Sequence, residues 1–140
     1  MEGSIRNEYI VDGDNFESAG AASEEVKRSL KQLGIDSKSI RRVAIAMYEG
    51  EINMVIHAHG GKAIADIYPS HIEIILKDTG PGIEDIEKAM QEGYSTATET
   101  IRNLGFGAGM GLPNMKKYSD EMKIESQMGK GTTVFLRINF

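Results

Sequence analysis

The chain has 140 residues, of which 40% are hydrophobic and 26% charged, the proportions of an ordinary globular domain with its own core. It contains no cysteine, which excludes disulfides and thiolate metal sites, and its net charge of −5 argues against general nucleic-acid binding. Because no apolar run approaches the ~20 residues of a membrane span and the N-terminus lacks a secretory pattern, we expect one soluble, cytoplasmic domain over residues 1–140, without membrane partners.

The N-terminal part of the sequence predicts one strand and two helices. In "SIRNEYIV", Ile5, Tyr9 and Val11 fall on one side of a period-two pattern, which predicts a strand. After a turn, apolar residues recur every three or four positions from Phe16 to Leu33 and predict an amphipathic helix that Gly34 ends. A second helix is predicted over residues 36–59, before the Gly-Gly pair that stops it.

The remaining segments predict four strands, two short helices and a loop. "KAIADIY" and "HIEIILK" alternate like the strands of a hairpin, and "KIESQ" and "TTVFLRINF" predict closing strands around the "GKG" turn. "IEDIEKAM" predicts a short helix, and "LPNMKKYSDEM" has Pro113 near a helix start. This order predicts an α+β fold, a two-layer sandwich with helices on one face of a mostly antiparallel or mixed sheet.

The second helix carries a polar stripe on an otherwise apolar surface. Glu49, Asn53 and His57 are spaced by four residues, which puts them on one narrow face. One interpretation is a solvated edge with a hydrogen bond between Glu49 and Asn53. The other is a ligand face, where the Asn53 carbonyl oxygen binds a hard cation such as Mg²⁺ and Glu49 orients or deprotonates a hydroxyl. Glu51 points to nearly the opposite side, and we expect it at the surface or capping a basic neighbour.

A glycine-rich segment precedes the last predicted helix. "GFGAGMGLPNM" has Gly105, Gly107, Gly109 and Gly111 at alternate positions. Alternate glycines can expose successive N–H groups, and the helix start beyond them adds more, which together would cradle a phosphate. The alternative is a flexible connecting loop. The segment is not a P-loop, because no Lys-Ser/Thr pair follows the glycines.

The sequence "DTGPGI" places an aspartate and two glycines directly after a predicted buried strand. Asp78 can accept a hydrogen bond from an exocyclic amine such as the N6 amine of adenine, and Gly80 and Gly82 would let the backbone lie close under the base. Thr132 or Thr133 could place a hydroxyl beside Asp78, directly or through water. The alternative is an Asx-turn or a helix cap at Asp78, with ordinary strand threonines.

In this order the segments resemble the GHKL ATPase superfamily. "EGEIN" resembles its N-box, "DTGPG" its first glycine box, "GFGAGMGL" its second, and Gly131-Thr132 its last box. Within the superfamily, "NMVIHAHG" and "GAGMGLPNMKKYSDEMKIESQMGKGTTV" resemble the small bacterial anti-sigma regulatory serine/threonine kinases of the switch-kinase type. The lid stretch "TETIRNLGF" is longer than the tight glycine loop of that branch.

The resemblance implies a Bergerat-type sandwich that holds Mg-ATP between helices and sheet. Asn53 would bind Mg²⁺, Glu49 would be the general base, and Asp78 would read adenine with the help of Thr132. The other positions implied to contact the nucleotide are His57, Gly80, Gly82, Ile83, Gly105, Gly107, Gly109, Met110, Gly111 and Leu112.

The resemblance further implies a protein kinase whose substrate is a Ser or Thr of a small STAS-domain antagonist. One alternative is a binding module that sequesters a sigma-factor-type regulator according to the bound nucleotide. Another is a slow ATPase without a protein acceptor. Related kinases are often dimers, so a homodimer is an expectation of the resemblance alone.

Overall fold

The computed structural model describes residues 4–13, 19–83, 86, 90 and 111–140. Its described strands are β1 (Ile5–Asp12), β2 (Gly60–Ile67), β3 (His71–Lys77), β4 (Glu121–Gln127) and β5 (Gly131–Asn139), and its described helices are α1 (Ala21–Gln32), α2 (Ser37–Ala58) and α3 (Gly111–Lys117). The strands form one sheet in the order β1-β2-β3-β5-β4. The predicted α+β fold class, a sheet with helices packed against one face, is confirmed.

The sheet is antiparallel between all of its described neighbours rather than mixed. The chain leaves the sheet at the end of β1, passes through α1 and α2, and re-enters the sheet at the same end. Gly60 at the start of β2 therefore lies opposite Asp12 at the end of β1. Strands β3 and β4 run in the same direction, since both pair antiparallel with β5, which lies between them. They are therefore not neighbours, and no parallel ladder forms among the described strands.

Helix α1 begins later than predicted. Its first residue is Ala21, and the N-cap position belongs to Gly20, whose φ of 95° is a conformation that favours glycine. Gly20 has no side chain to satisfy the first N–H groups of the helix. The predicted end is confirmed, because Gly34 follows the helix with a φ of 77°. Of the expected first turn, residues 14–18 lie outside the described part of the chain.

Helix α2 has the predicted bounds. Asp36 is its N-cap and accepts a hydrogen bond from Ser39 N at 2.9 Å, and His59 ends the helix in the left-handed conformation. The apolar sequence of α2 predicts a helix that is buried on most sides, and in the structure Ala44 and Ile45 are half-exposed. No described helix, α2 included, is long and apolar enough to cross a membrane.

The core lies between the two long helices and the inner face of the sheet. Alternate residues of β3 point into it, as the period-two pattern predicted. The side chains that are at most 2% exposed include Val26, Leu30, Val43, Met47, Ile72, Ile74, Leu76, Met115, Leu136 and Ile138. This packing fixes α2, β3 and β5 relative to one another, and three of the predicted site residues, His57, Asp78 and Thr132, lie at or next to the ends of these elements.

The short connections also follow the predictions. β2 and β3 form a hairpin in which Tyr68 N donates to His71 O at 2.8 Å, and α3 has Pro113 in its first turn. Of the helix predicted over "IEDIEKAM", the structure describes only residues 83, 86 and 90. Met90 N donates to Ile86 O at 3.0 Å, which is the hydrogen-bond spacing of an α-helix.

Candidate functional site

Asp78 lies directly after β3 and is bonded to the start of β5. Asp78 N donates to Thr132 O at 2.9 Å, and Thr132 N donates to Asp78 Oδ1 at 3.1 Å. Gly80 N also donates to Oδ1, at 3.0 Å, so the Asx-turn alternative is part of the structure. Of the two carboxylate oxygens of Asp78, only Oδ1 takes part in these hydrogen bonds. Within the described residues Oδ2 has no hydrogen-bond partner, so it remains available to a ligand.

Thr132, rather than Thr133, lies on the Asp78 side. It is buried, and its hydroxyl lies 2.8 Å from the Ser126 hydroxyl. Ser126 Oγ also accepts a hydrogen bond from Ile83 N at 2.7 Å. Sequence reasoning missed Ser126. The register of the β4–β5 hairpin pairs Ser126 with Thr132, and this pairing is the feature from which Ser126 could have been predicted.

Two glycines after Asp78 allow close backbone approach. A Cβ atom on Gly80 would lie 2.5 Å from the Cβ atom of Ala58 in α2, so only glycine fits there without a shift. Gly82 has a φ of 85°, and a Cβ atom there would lie 2.7 Å from Gln127 O. The predicted glycines therefore bring the segment after β3 against the end of α2 and the end of β4.

The stripe Glu49–Asn53–His57 faces this region and α3. All three side chains are half-buried, so the stripe is not a solvated edge. Burial lowers the pKa of His57 from 6.5, while the negative charge of Asp78 acts in the opposite direction. The His57 ring is therefore close enough to Asp78 to respond to its charge, and burial favours its neutral form.

Glu49 contacts α3 rather than Asn53. Burial raises the pKa of the Glu49 carboxyl above 4.5, and a hydrogen bond with the Asn114 side chain partly opposes that rise. A carboxylate with a raised pKa that is held by an amide is suited to accept a proton. Sequence reasoning missed Asn114, since the crossing of α3 over α2 leaves no local pattern in the sequence.

Asn53 lies under the first turn of α3. A Cβ atom on Gly111 would lie 2.9 Å from both Asn53 Oδ1 and Nδ2, so Gly111 is in contact with the amide, and Leu112 beside it packs against the core. The Asn53 amide donates only a long contact of 4.0 Å to Met115 Sδ. The other predicted positions of the glycine-rich segment, Gly105, Gly107, Gly109 and Met110, lie outside the described residues.

The prediction for Glu51 is wrong. This residue is 1% exposed, and its carboxylate accepts hydrogen bonds from Gly20 N at 3.0 Å, Ala22 N at 3.3 Å, Ser23 N at 2.5 Å and the Ser23 hydroxyl. Glu51 does point away from Glu49, but α1 packs on that side of α2. It caps the N-terminus of α1 and satisfies the N–H groups that Gly20 leaves unsatisfied.

The described side chains alone do not make a metal site, because they contain no group of three or more His, Asp or Glu that could hold an ion. Among the described residues, Asn53 nevertheless has no strong partner for its amide oxygen. Mg²⁺ binds such oxygens when substrate phosphates supply further ligands. The described residues therefore place a carboxylate oxygen at the end of β3 and a weakly bonded amide under the first turn of α3.

Comparison with known proteins gives a consistent result. The family model described as "Histidine kinase-like ATPase domain" matches residues 14–138. The serine/threonine-protein kinase RsbT of Bacillus subtilis is 33% identical over 118 residues, covering 81% of this chain and 83% of RsbT. An anti-sigma F factor of Caldanaerobacter subterraneus is 39% identical over 108 residues, covering 74% and 72% of the two chains.

Among solved structures, one that contains the RsbU and RsbW domains of a Mycobacterium tuberculosis protein has a similar fold. The TM-score is 0.65 at 17% identity, and the match covers 96% of this chain and 32% of the other. At this identity the similarity concerns the fold, which agrees with the sandwich described above.

Proposed function

Because the chain belongs to the family of histidine kinase-like ATPase domains, we propose that it binds Mg-ATP and transfers the γ-phosphate to a Ser or Thr of a protein partner. One observation carries the proposal: the half-buried stripe of Glu49 and Asn53 continues along α2 to His57, which lies close enough to Asp78 to respond to its charge. Among the described residues, Oδ2 of Asp78 has no hydrogen-bond partner. The relative RsbT, which is named a serine/threonine-protein kinase, supports the choice of reaction.

In this proposal the adenine ring lies against the segment after β3. Asp78 Oδ2 accepts a hydrogen bond from the N6 amine, and the Thr132–Ser126 hydroxyl pair lies beside it. Gly80 and Gly82 belong to this segment and allow it to pack against Ala58 of α2 and Gln127 of β4. The other residues assigned to the nucleotide are His57, Ile83, Gly105, Gly107, Gly109, Met110, Gly111 and Leu112.

Mg²⁺ would be held by the Asn53 amide oxygen together with the phosphates. When bound, the ion neutralises charge on the phosphate oxygens. The position of Gly111 supports this role for Asn53, because the absence of a side chain there leaves the amide room to turn toward a ligand.

Glu49 acts as the general base. The hydroxyl oxygen of the partner attacks the γ-phosphorus, the bond from that phosphorus to the β–γ bridging oxygen breaks, and ADP leaves while the hydroxyl proton passes to Glu49. Burial raises the pKa of the Glu49 carboxyl, which makes it a better proton acceptor once it is ionised. Asn114 is a positioning residue that orients this carboxylate through its hydrogen bond.

We assign the partner to the class of small STAS-domain antagonists, with a sigma-factor-type regulator as a further binding partner. The relatives named RsbT and anti-sigma F factor support a role in regulation by protein contacts. A single cytoplasmic domain over residues 1–140, acting as a monomer or a homodimer, completes the proposal.

The experiment is transfer of label from Mg-[γ-³²P]ATP to a STAS-domain protein encoded beside this chain. We expect label on a Ser or Thr of the partner with the wild-type chain, and none with Glu49→Gln. Lys123→Glu, on the exposed strand β4, is the matched control and should transfer label normally. Absence of transfer by the wild type, or equal transfer by Glu49→Gln, contradicts the proposal.

A second candidate function is nucleotide-dependent sequestration of a sigma-factor-type protein without chemistry. Several relatives are named anti-sigma F factor, including one 31% identical that matches across this chain and 96% of its own length. Partner capture that requires ATP but survives Glu49→Gln would favour this function over the kinase. Phosphate release without any acceptor would instead favour a slow ATPase.

A further inference from the structure

The segment from Lys27 to Arg42 has a charge opposite to that of the chain. It carries six basic residues against the one acidic residue Asp36, a net charge of +5 in a chain of −5. Two of the basic side chains are paired, Arg28 with Glu25 and Arg42 with Asp120. The four basic side chains without an ion pair to any described residue are Lys27, Lys31, Lys38 and Arg41.

Three of these four cations line a groove between the second half of α1 and the first half of α2. Lys27 and Lys31 lie on one side and Arg41 on the other, while Ile35, Ala44 and Ile45 provide its apolar surface. The groove has a volume of about 510 Å³. Ala44 and Ile45 are among the apolar residues of α2 that remain half-exposed. We call this surface the basic groove.

The basic groove is separate from the candidate nucleotide site. It uses the first turns of α2, whereas the stripe begins at Glu49 and continues toward the other end of that helix. At about 1.5 Å per residue, Arg41 and Asn53 lie roughly 18 Å apart along the helix axis. A macromolecule in the groove would leave Asp78 and Asn53 accessible, so the inference does not rest on the proposed function.

We propose that the basic groove docks an acidic amphipathic helix of a protein partner. The apolar side chains of that helix would contact Ile35, Ala44 and Ile45, and its carboxylates would pair with the flanking cations. The stretch of α2 that lines the groove, from Ser37 to Ile45, is about 12 Å long and accommodates roughly two turns of a bound helix. The charge of the segment selects an acidic sequence over a basic one.

The same features disfavour the two other anionic partners. A nucleic acid would gain little from the apolar surface, and the rest of the chain, which carries the excess of acidic residues, would repel it. A membrane surface requires fully exposed apolar side chains, whereas Ile40 in the groove is only 6% exposed and Ile35, Ala44 and Ile45 are half-buried.

The test uses two synthetic fluorescein-labelled peptides of about 14 residues, both with leucines at positions i, i+3, i+4 and i+7. The remaining positions are glutamates in the acidic peptide and lysines in the basic peptide. Binding to the full chain is followed by fluorescence anisotropy. We expect saturable binding of the acidic peptide only, weakened at least about tenfold by the double variant Lys31→Glu/Arg41→Glu. Ile45→Ser should also weaken it, because it removes apolar contact.

The matched control is Lys38→Glu, which reverses a charge on the same helix outside the groove and should weaken binding clearly less than the double variant does. Circular dichroism melting establishes that each variant is folded. No saturable binding of the acidic peptide up to about 1 mM, equal binding of the basic peptide, or an equal effect of Lys38→Glu would overturn the proposal. Tighter binding to single-stranded RNA or to anionic phosphatidylserine vesicles, or self-association abolished by the double variant, would also overturn it.

Discussion

Asp78 and Thr132 are joined by two reciprocal hydrogen bonds, from Asp78 N to Thr132 O at 2.9 Å and from Thr132 N to Asp78 Oδ1 at 3.1 Å. The pair connects the end of β3 to the start of β5 and holds the carboxylate in one orientation. One oxygen of Asp78 therefore serves the fold, and the other is available to a ligand.

This division of roles predicts the effect of Asp78→Asn. The asparagine keeps an oxygen for the N–H groups of Thr132 and Gly80, but it places an NH₂ group where adenine N6 would donate. Loss of a hydrogen bond to a charged acceptor should weaken ATP binding by about 1.5–3 kcal/mol, roughly 10- to 150-fold. Isothermal titration calorimetry measures the affinity. Thr133→Val, on the other face of β5, is the control, and unchanged affinity in Asp78→Asn would count against the assignment.

Two glutamates of α2 should separate stability from activity. Glu51→Gln leaves the donors of Gly20, Ala22 and Ser23 without a charged acceptor, which should lower the free energy of unfolding by about 3 kcal/mol. Urea unfolding measures this loss. Glu49→Gln should not lower the free energy of unfolding at neutral pH, since burial disfavours the charge of Glu49 and the side chain is only half-buried. Equal destabilisation by the two variants would contradict the roles assigned here.

These two residues also mark how far the sequence could predict the structure. The helical wheel gave the correct directions of Glu49 and Glu51, because both follow from the period of one helix. The residues that cover each side of α2 come from distant segments of the chain. Contacts of this kind leave no local pattern in the sequence. The capping of α1 by Glu51, the bond from Asn114 to Glu49 and the half-exposure of Ile45 are all of this kind.

The elements and their order were more predictable than the contacts. The hairpins, the bounds of α2 and the resemblance to the GHKL superfamily are confirmed, since alternation, helix caps and four short boxes are local features. The start of α1 was predicted too early, because its N-terminus is satisfied by a carboxylate from another helix rather than by a nearby residue.

Gly111→Ala should affect the ligand more than the fold. Alanine favours a helix over glycine by up to about 1 kcal/mol. Its Cβ atom would lie 2.9 Å from the Asn53 amide, however, so that amide must turn away from its present position. We expect equal or higher thermal stability with an affinity for Mg-ATP reduced by about tenfold or more. Lys116→Ala in the same helix is the control, and a Gly111→Ala variant that binds Mg-ATP normally would contradict the prediction.

The pH dependence of transfer should report Glu49. Burial raises its folded-state pKa above 4.5, and only the ionised form accepts a proton, so the rate should rise with pH through a pKa higher than 4.5. Because the Asn114 hydrogen bond lowers this pKa, Asn114→Ala should shift the rise of the rate with pH to higher pH. A pH–rate profile of both proteins measures the shift. A rise at the same pH in both proteins would argue against the contact between Asn114 and Glu49.

The same raised pKa fixes the sign of the effect on stability. The folded state binds the proton more tightly than the unfolded state, so the contribution of Glu49 to the free energy of unfolding is largest below pH 4.5 and is lost as pH rises through the folded pKa. The stability of Glu49→Gln relative to the wild type should accordingly increase with pH, and urea unfolding at several pH values provides the check.

The central claim is that Asn53 and Asp78 form two ends of one site for a magnesium–adenine nucleotide. Isothermal titration of ATP with and without Mg²⁺, on the wild type, Asn53→Ala and Asp78→Asn, tests it most directly. We predict that Mg²⁺ tightens binding to the wild type by about tenfold or more, and that Asn53→Ala removes this gain while Asp78→Asn weakens binding under both conditions. An affinity for ATP that is the same in all three proteins, or that does not depend on Mg²⁺ in the wild type, would contradict the claim.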